Sequence, residues 1–301
     1  MILCCGEALI DMLPRVSQAG EPAFAPLAGG AVFNTSIALG RLGVASGFLS
    51  GISTDLFGAQ LVDALAASNV DASLCIRSDR PTTLAFVTLT DGHAKYAFYD
   101  ENTAGRMITA ADMPKLPDTV DALFFGGISL VADPAADAYA ALMLREAATR
   151  VTMIDPNIRP DFITDEPAFR ARLMSMLGVA DIVKISDEDL EWIGVSIEDL
   201  LEMGVKLVCL TEGAKGVTGY FGAGQLSAPS KRVEVVDTVG AGDTFNAGLL
   251  AGLARDGLLS KGALASLSSE ALRPALELGA SAAAITVSRA GANPPWQHEL
   301  E

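Results

Sequence analysis

A carboxylate set between glycines is the first feature of this chain with chemistry in it. In the run Asp237-Thr238-Val239-Gly240-Ala241-Gly242-Asp243-Thr244-Phe245-Asn246-Ala247-Gly248, Gly240 and Gly242 permit a tight turn, and an apolar helical stretch begins at Thr244. A small-residue turn that opens a helix aims backbone N–H groups outward, and the helix dipole adds positive potential. Such a turn can hold an anion without a lysine. Asp243 sits at its mouth. A carboxylate beside an anion site raises the electrostatic energy, so its presence needs a reason. Taking a proton from an attacking hydroxyl is one, because phosphoryl transfer otherwise needs mainly positioning and charge neutralisation. Taken alone, Asp243 could equally be a helix N-cap.

The elements that must position this turn can be read from periodicity. Short apolar runs at 2–5, 122–125, 151–154, 181–185 and 207–210 have the form of buried strands, and 34–42, 57–68, 135–149, 167–177 and 186–193 carry helical periodicity. This alternation predicts an α/β protein whose mostly parallel sheet is covered on both faces, with ligands gathered at the carboxyl ends of the strands. Segments 82–90 and 95–99 alternate around Asp91-Gly92, a hairpin signal, and 9–13 with 23–27 could add two strands. We read these as a β-lid, built from about 9–27 and 82–101, on a single domain spanning 1–301; an ordinary sheet edge is the alternative.

Composition removes other classes. The chain has 301 residues and a formal net charge of −16, which argues against a nucleic-acid or anionic-membrane partner, although a local site can still be positive. Cys4, Cys5, Cys75 and Cys209 form no CxxC pair and suit free thiols in a reducing compartment. The N-terminus lacks a basic stretch followed by a long apolar one, and no run reaches the roughly 18 apolar residues of a membrane span. Cytoplasmic location is the expectation. His93 and His298, in a hairpin turn and the tail, cannot anchor a Ser-His-Asp triad or a zinc site. No Gly-x-Gly-x-x-Gly follows the first strand, which removes a nicotinamide oxidoreductase.

The twelve-residue run resembles the C-terminal signature of the PfkB/ribokinase family of carbohydrate kinases. Gly29-Gly30-Ala31-Val32-Phe33-Asn34-Thr35-Ser36-Ile37-Ala38-Leu39-Gly40-Arg41-Leu42-Gly43, about two hundred residues earlier, resembles its N-terminal signature. The likeness runs from Gly6-Glu7-Ala8-Leu9-Ile10-Asp11 to Arg289-Ala290-Gly291-Ala292. It implies a ribokinase-like three-layer sandwich with a β-lid and ATP-dependent phosphorylation of a sugar hydroxyl. By resemblance Asp243 is the general base, and Gly240, Ala241 and Gly242 form the anion hole. Asp11, Gly29, Gly30 and Asn34 match sugar-binding positions; on their own, Asp11 is a surface acid at a strand end and Asn34 a helix N-cap. Arg159, in Asp155-Pro156-Asn157-Ile158-Arg159-Pro160, resembles the arginine near sugar and γ-phosphate, with a surface salt bridge as its alternative.

Leu210-Thr211-Glu212-Gly213-Ala214-Lys215-Gly216 resembles the nucleotide loop, in which Thr211, Gly213 and Gly216 would line ATP; otherwise it is a turn between strands. Ala280, among the small residues of 279–283, would flank the adenine or lie inside an Ala-rich helix. The family often carries Asn-x-x-Glu after a strand ending in Lys, which helps to organise Mg²⁺ and phosphate through water. Here Lys184-Ile185-Ser186-Asp187-Glu188-Asp189 puts Ser186 and Asp189 at those two positions. Both keep oxygen donors suited to a hard cation, but the acid is shorter. A K⁺ ion would sit near Asp237, the Val239 carbonyl, Thr286, Arg289 and Gly291.

Within the family, the first signature and Tyr96-Ala97-Phe98-Tyr99-Asp100-Glu101-Asn102-Thr103-Ala104 look most like bacterial fructokinases. Phe98 or Tyr99, but at period two not both, would cover a furanose ring, unless they serve only lid packing. Family members acting on phosphosugars tend to place Lys where this chain has Ala31, so an unphosphorylated acceptor is expected. D-Fructose, phosphorylated on its 6-hydroxyl, is the first candidate. The second is 2-keto-3-deoxygluconate, whose carboxylate would want Arg106 or Arg159. A sugar- or nucleotide-binding sensor is the reading from another class. The lid's edges invite a homodimer.

Overall fold

The computed structural model describes residues 1–90 and 93–300, with burial and side-chain contacts described outside 87–96; the Asp91-Gly92 turn lies outside the described residues. Strand β1 (Ile2–Cys5) leads into the antiparallel pair β2 (Leu9–Val16) and β3 (Pro22–Gly29). Next come α1 (Ala31–Arg41), β4 (Ser46–Leu49), β5 (Gly51–Ser53), α2 (Leu56–Ala67), β6 (Val70–Asp71) and β7 (Ile76–Ser78). A second antiparallel pair follows, β8 (Leu84–Thr90) and β9 (His93–Tyr99). The chain then alternates through β10 (Ala122–Gly126), α3 (Ala135–Glu146), β11 (Val151–Asp155), α4 (Glu166–Leu177) and β12 (Ile182–Ser186). After α5 (Asp187–Ile193) and α6 (Ile197–Glu202) come β13 (Leu207–Thr211), β14 (Val217–Phe221) and β15 (Gly224–Ala228). Helices α7 (Ala241–Arg255), α8 (Lys261–Ala265) and α9 (Ser269–Val287) close the fold.

The nine-stranded sheet runs β15-β14-β13-β12-β11-β10-β1-β4-β6, parallel from β13 to β6 and antiparallel only at β14 and β15. Its central strands are buried on both faces, which is why they read as unbroken apolar runs. The pleat sends Ile2 and Cys4 to a core shared with α1, α2, α7, α8 and α9. Leu3 and Cys5 face the opposite core, under α3 to α6. The result is the three-layer α/β sandwich that the resemblance implied.

A separate four-stranded sheet, β3-β2-β8-β9, is built from the two segments that the sequence set apart. Asp55 ties its base to the body. That carboxylate caps α2 by accepting from Gly58 N (2.7 Å) and accepts from Thr82 N (2.9 Å) at the entry to β8. The four cysteines are free, three of them buried. Among the described residues no helix is long and apolar enough to cross a membrane.

Candidate active site

Glycine decides where α7 begins. Gly240 is its N-cap with φ 78°, a left-handed conformation that costs a residue bearing Cβ, and a Cβ there would lie 2.7 Å from Ala292 Cβ. Ala241 N turns back to Thr238 O (3.3 Å), whereas the N–H groups of Gly242 and Asp243 have no acceptor among the described residues. They are first-turn donors at the positive end of a fifteen-residue helix. Asp243 is therefore no cap. It lies within the first turn of α7, buried, and Oδ2 accepts from Asn34 Nδ2 (2.9 Å). Asn34 is no cap either: Gly30 begins α1, which puts Asn34 within the helix and free to reach α7.

The two helix starts flank a cavity of about 530 Å³ at the carboxyl ends of β1, β10, β11 and β12. Of the residues singled out from sequence, Asp11, Gly30, Asn34, Phe98, Arg159, Lys184, Val239, Gly240, Ala241, Gly242 and Asp243 all line it. Gly29 lies just behind: a Cβ there would sit 2.3 Å from Asp11 Oδ2. Phe98 faces the cavity and packs on Phe162 (ring centroids 4.6 Å), while Tyr99 stays exposed against Phe86 (5.5 Å). The alternation along β9 selects one aromatic for the interior. Arg159 makes no ion pair among the described residues, and Nη1 donates only to Ile158 O (2.9 Å). The surface-salt-bridge reading does not hold.

Other candidates sit outside this cavity. Ser186 N-caps α5 by accepting from Asp189 N (3.0 Å), and Asp189 Oδ1 accepts from Ile158 N (3.2 Å). Thr211 pairs in register with Ser186 at the next strand end, and Gly213 and Gly216 shape the turn from β13 to β14. Ala280 is half-buried on α9, beside the Gly279 that packs on Phe245. The Asp237 carboxylate accepts from Val239 N (3.0 Å) and Gly291 N (2.9 Å), which joins the approach to α7 to the loop after α9. Thr286 Oγ1 bonds Ala282 O (3.2 Å) and Thr244 Oγ1 (3.0 Å), and Arg289 is paired with Glu299. Their side chains are thus committed, leaving backbone carbonyls as what those two could offer an ion.

The sequence reading does not single out Glu7, Asp155 or Asn246. Glu7 is held by Val32 N (3.3 Å) and Ser129 N (3.2 Å) and lines the cavity. Asp155 Oδ2 accepts from Lys184 Nζ (3.1 Å) and Asn246 Nδ2 (2.7 Å), all three residues being buried. The available signal was polarity inside apolar strands, since a charge in a buried strand must find a partner.

Burial sets the electrostatics. Removal from water pushes Asp243 up to about 7, opposed by its Asn34 hydrogen bond and the Lys184 charge and assisted by Asp155 and Glu7. Burial likewise raises Asp11 to about 6 and lifts Glu7 and, with help from Asp155, Asp189. A half-protonated carboxyl beside unused N–H donors can exchange a proton with a hydroxyl near neutral pH while the donors meet an anion.

The profile of the pfkB family carbohydrate kinases matches residues 1–299. A fructokinase of Rhizobium leguminosarum bv. trifolii is 56% identical over 91% of this chain and 86% of its own length. The crystal structure of a Xylella fastidiosa fructokinase with bound ATP superposes with a TM-score of 0.89 at 30% identity, covering 99% of this chain and 96% of that one. A Vibrio cholerae fructokinase variant bearing fructose, ADP and a potassium ion superposes at 0.84 with 25% identity, over 99% and 96%. This chain belongs to the pfkB family of carbohydrate kinases.

Proposed function

We propose that this kinase transfers the γ-phosphoryl group of Mg²⁺-ATP to the 6-hydroxyl of D-fructose, with Asp243 as general base. The observation that carries this reading is the buried Asp243 carboxyl, locked by Asn34 at the N-terminus of α7 beside unused N–H groups. The acceptor oxygen forms a bond to phosphorus as the bond from phosphorus to the ADP oxygen breaks, ADP leaves with that electron pair, and the acceptor proton goes to Asp243. Gly242 and Asp243 N–H, with the turn around Ala241, meet the charge on the transferring group. Thr211, Gly213, Gly216 and Ala280 are the residues proposed to line the rest of the nucleotide.

Fructose suits the polar end of the cavity. Asp11 offers an acceptor to sugar hydroxyls, and Phe98 presents an apolar face to the ring. A sugar acid fits less well. Its carboxylate would meet Glu7 and Asp11, Arg106 is already paired with Asp100 (3.0 Å) and anchored to Asp133 O, and Arg159, the other cation it could use, lines the cavity where the phosphoryl group is proposed to arrive. A non-catalytic sensor would gain nothing from the cost of burying Asp243. We expect Asp11→Ala to raise the KM for fructose about 10- to 10²-fold, as loss of a charged hydrogen bond should. Initial rates at varied fructose check this, and an unchanged KM would remove Asp11 from the sugar site.

Among the described residues no group of three or more His, Cys, Asp or Glu side chains could hold a metal by itself. A divalent ion therefore arrives with the nucleotide phosphates, as Mg²⁺ does, with Asp189 contributing through water. K⁺ is proposed at Asp237, the Val239 carbonyl and the loop through Gly291. The small sheet acts as a lid that excludes water, a competing acceptor. Val16, Phe24, Leu27 and Tyr99 are exposed on it, which supports pairing of two copies through the lids. Free buried thiols support a reducing cytoplasm as the working compartment.

The test is ADP release with a panel of sugars, with and without K⁺. Fructose should give the highest kcat/KM, and no ADP with any sugar would end the proposal. The base is active when deprotonated, so kcat/KM should rise with pH up to about 7 and then level off. A profile flat from about pH 5 to about pH 9 would show that no group with such a raised pKa takes the proton.

A further inference from the structure

Among the described residues, two buried oxygens have no donor: Asp155 Oδ1 and Asn246 Oδ1. Both belong to one cluster. The register of β11 and β12, Ile154 beside Val183, brings Asp155 alongside Lys184, and Asn246 reaches them from one turn past Asp243 on α7. Asp155 accepts both of its bonds on one oxygen, Oδ2, from Lys184 Nζ (3.1 Å) and Asn246 Nδ2 (2.7 Å). Lys184 has three ammonium donors and uses one among the described residues. A cluster serving stability alone would be closed, because each buried polar atom left without a partner weakens the fold. This one stays open, and Lys184 and Asp155 both line the active cavity.

The open side of Lys184 faces the anion turn. A Cβ on Gly242 would come within 3.3 Å of Nζ, so the missing side chain is what lets the ammonium lie against the start of α7. Without a partner, a long lysine side chain has many rotamers; Asp155 fixes one of them and compensates its charge during burial. Asn246 in turn orients the carboxylate. We propose that Asp155 and Asn246 are positioning residues that hold the Lys184 ammonium against the Gly240–Gly242 turn, making it, beside Arg159, a side-chain cation that meets the transferring phosphoryl group. This rests on the kinase reading above.

The same cluster tunes the base. Glu7 from the loop after β1, Asn34 of α1, Asp155 at the end of β11 and Lys184 of β12 all act on Asp243, and Asp11 and Arg159 line the same cavity. Asp155 raises and Lys184 lowers the pKa of Asp243, so the two charges of the pair oppose each other there.

The experiment is a double-mutant cycle on the full chain with fructose and Mg²⁺-ATP. Lys184→Met should lower kcat about 10²- to 10³-fold, as removal of one phosphoryl-facing donor does. Asp155→Asn keeps the shape and should cost about 10- to 10²-fold through misplacement, with the fructose KM changed less than about twofold. Because Asp155 acts through Lys184, the double variant should be no slower than Lys184→Met alone. The acid limb of the pH profile should move to lower pH in Asp155→Asn, to higher pH in Lys184→Met, and return near the wild-type position in the double variant. Multiplicative losses, or Asp155→Asn with wild-type kcat, would overturn the proposal. Should Asp155→Asn fail to fold by circular dichroism, Asn246→Ala takes its place in the rate cycle, where a double variant no slower than Lys184→Met is again expected and multiplicative losses would again overturn the proposal. A failed kinase reading looks different, since the wild-type protein itself would then release no ADP.

Discussion

Asp243→Asn should lower kcat by about 10²- to 10⁴-fold while ATP and fructose still bind, because the amide keeps the shape of the carboxyl but cannot accept the hydroxyl proton. Calorimetric titration of both ligands and single-turnover ADP release separate the two effects. Near-normal turnover would remove Asp243 from the role of base. The same variant should also be more stable than the wild type above neutral pH. The folded protein keeps the Asp243 proton up to about 7, and the unfolded chain releases it near the ordinary value of 3.8. Wild-type stability therefore falls as pH rises through that window and stays lower above it, by up to roughly 4 kcal/mol. Asparagine abolishes that fall. Urea melts at about pH 5 and about pH 8 should show the larger advantage of the variant at the higher value.

Gly248→Val should cost about 3 kcal/mol of stability through overpacking. Helices α7 and α9 approach so closely that a Cβ on Gly248 would lie 2.6 Å from Gly279 Cα, and one on Gly252 would lie 2.5 Å from Ala275 Cα. Backbone stands in the way in both places, so rotamer changes cannot relieve the contact. The loss is a large part of ordinary domain stability and should appear as a lower urea midpoint at an unchanged slope. An unchanged midpoint would mean that the helices separate freely, and the base would then have no firm mount.

The strands at 2–5, 122–125, 151–154 and 207–210 were legible because a strand covered on both faces must be apolar throughout, and the structure extends the last three by one residue each. Asp181, read as strand, sits just before β12, where its carboxylate is held by Thr152 N (2.9 Å) and Lys261 Nζ (2.7 Å). The short β6, the Ser-Gly-Phe-Leu strand β4 and the pairing of β14 with β15 left too weak a pattern to read. The start of α1 was misplaced because Asn34 has the chemistry of a cap, while the backbone at Gly30, with φ 111°, begins the helix earlier. That shift frees the Asn34 amide for Asp243.

The Gly240–Gly242 turn was legible because two signatures about two hundred residues apart together resemble one family, whereas Asp243 taken alone reads as a helix N-cap. The Asp155–Lys184–Asn246 cluster was not. Its members lie in three separate stretches and meet only through strand register and the packing of α7. Glu7 was hidden in the same way, since its partners, Val32 and Ser129, lie on different elements.

The groups proposed to react stand on α7, β11 and β12, inside the body, whereas Asp11, Gly29 and Phe98, proposed to hold the sugar, belong to the separate small sheet. Tool and grip are thus mounted on different pieces. Drift in the small sheet can alter which sugar is held without shifting the atoms that make and break bonds. Change in the α7 seam spoils every substrate at once.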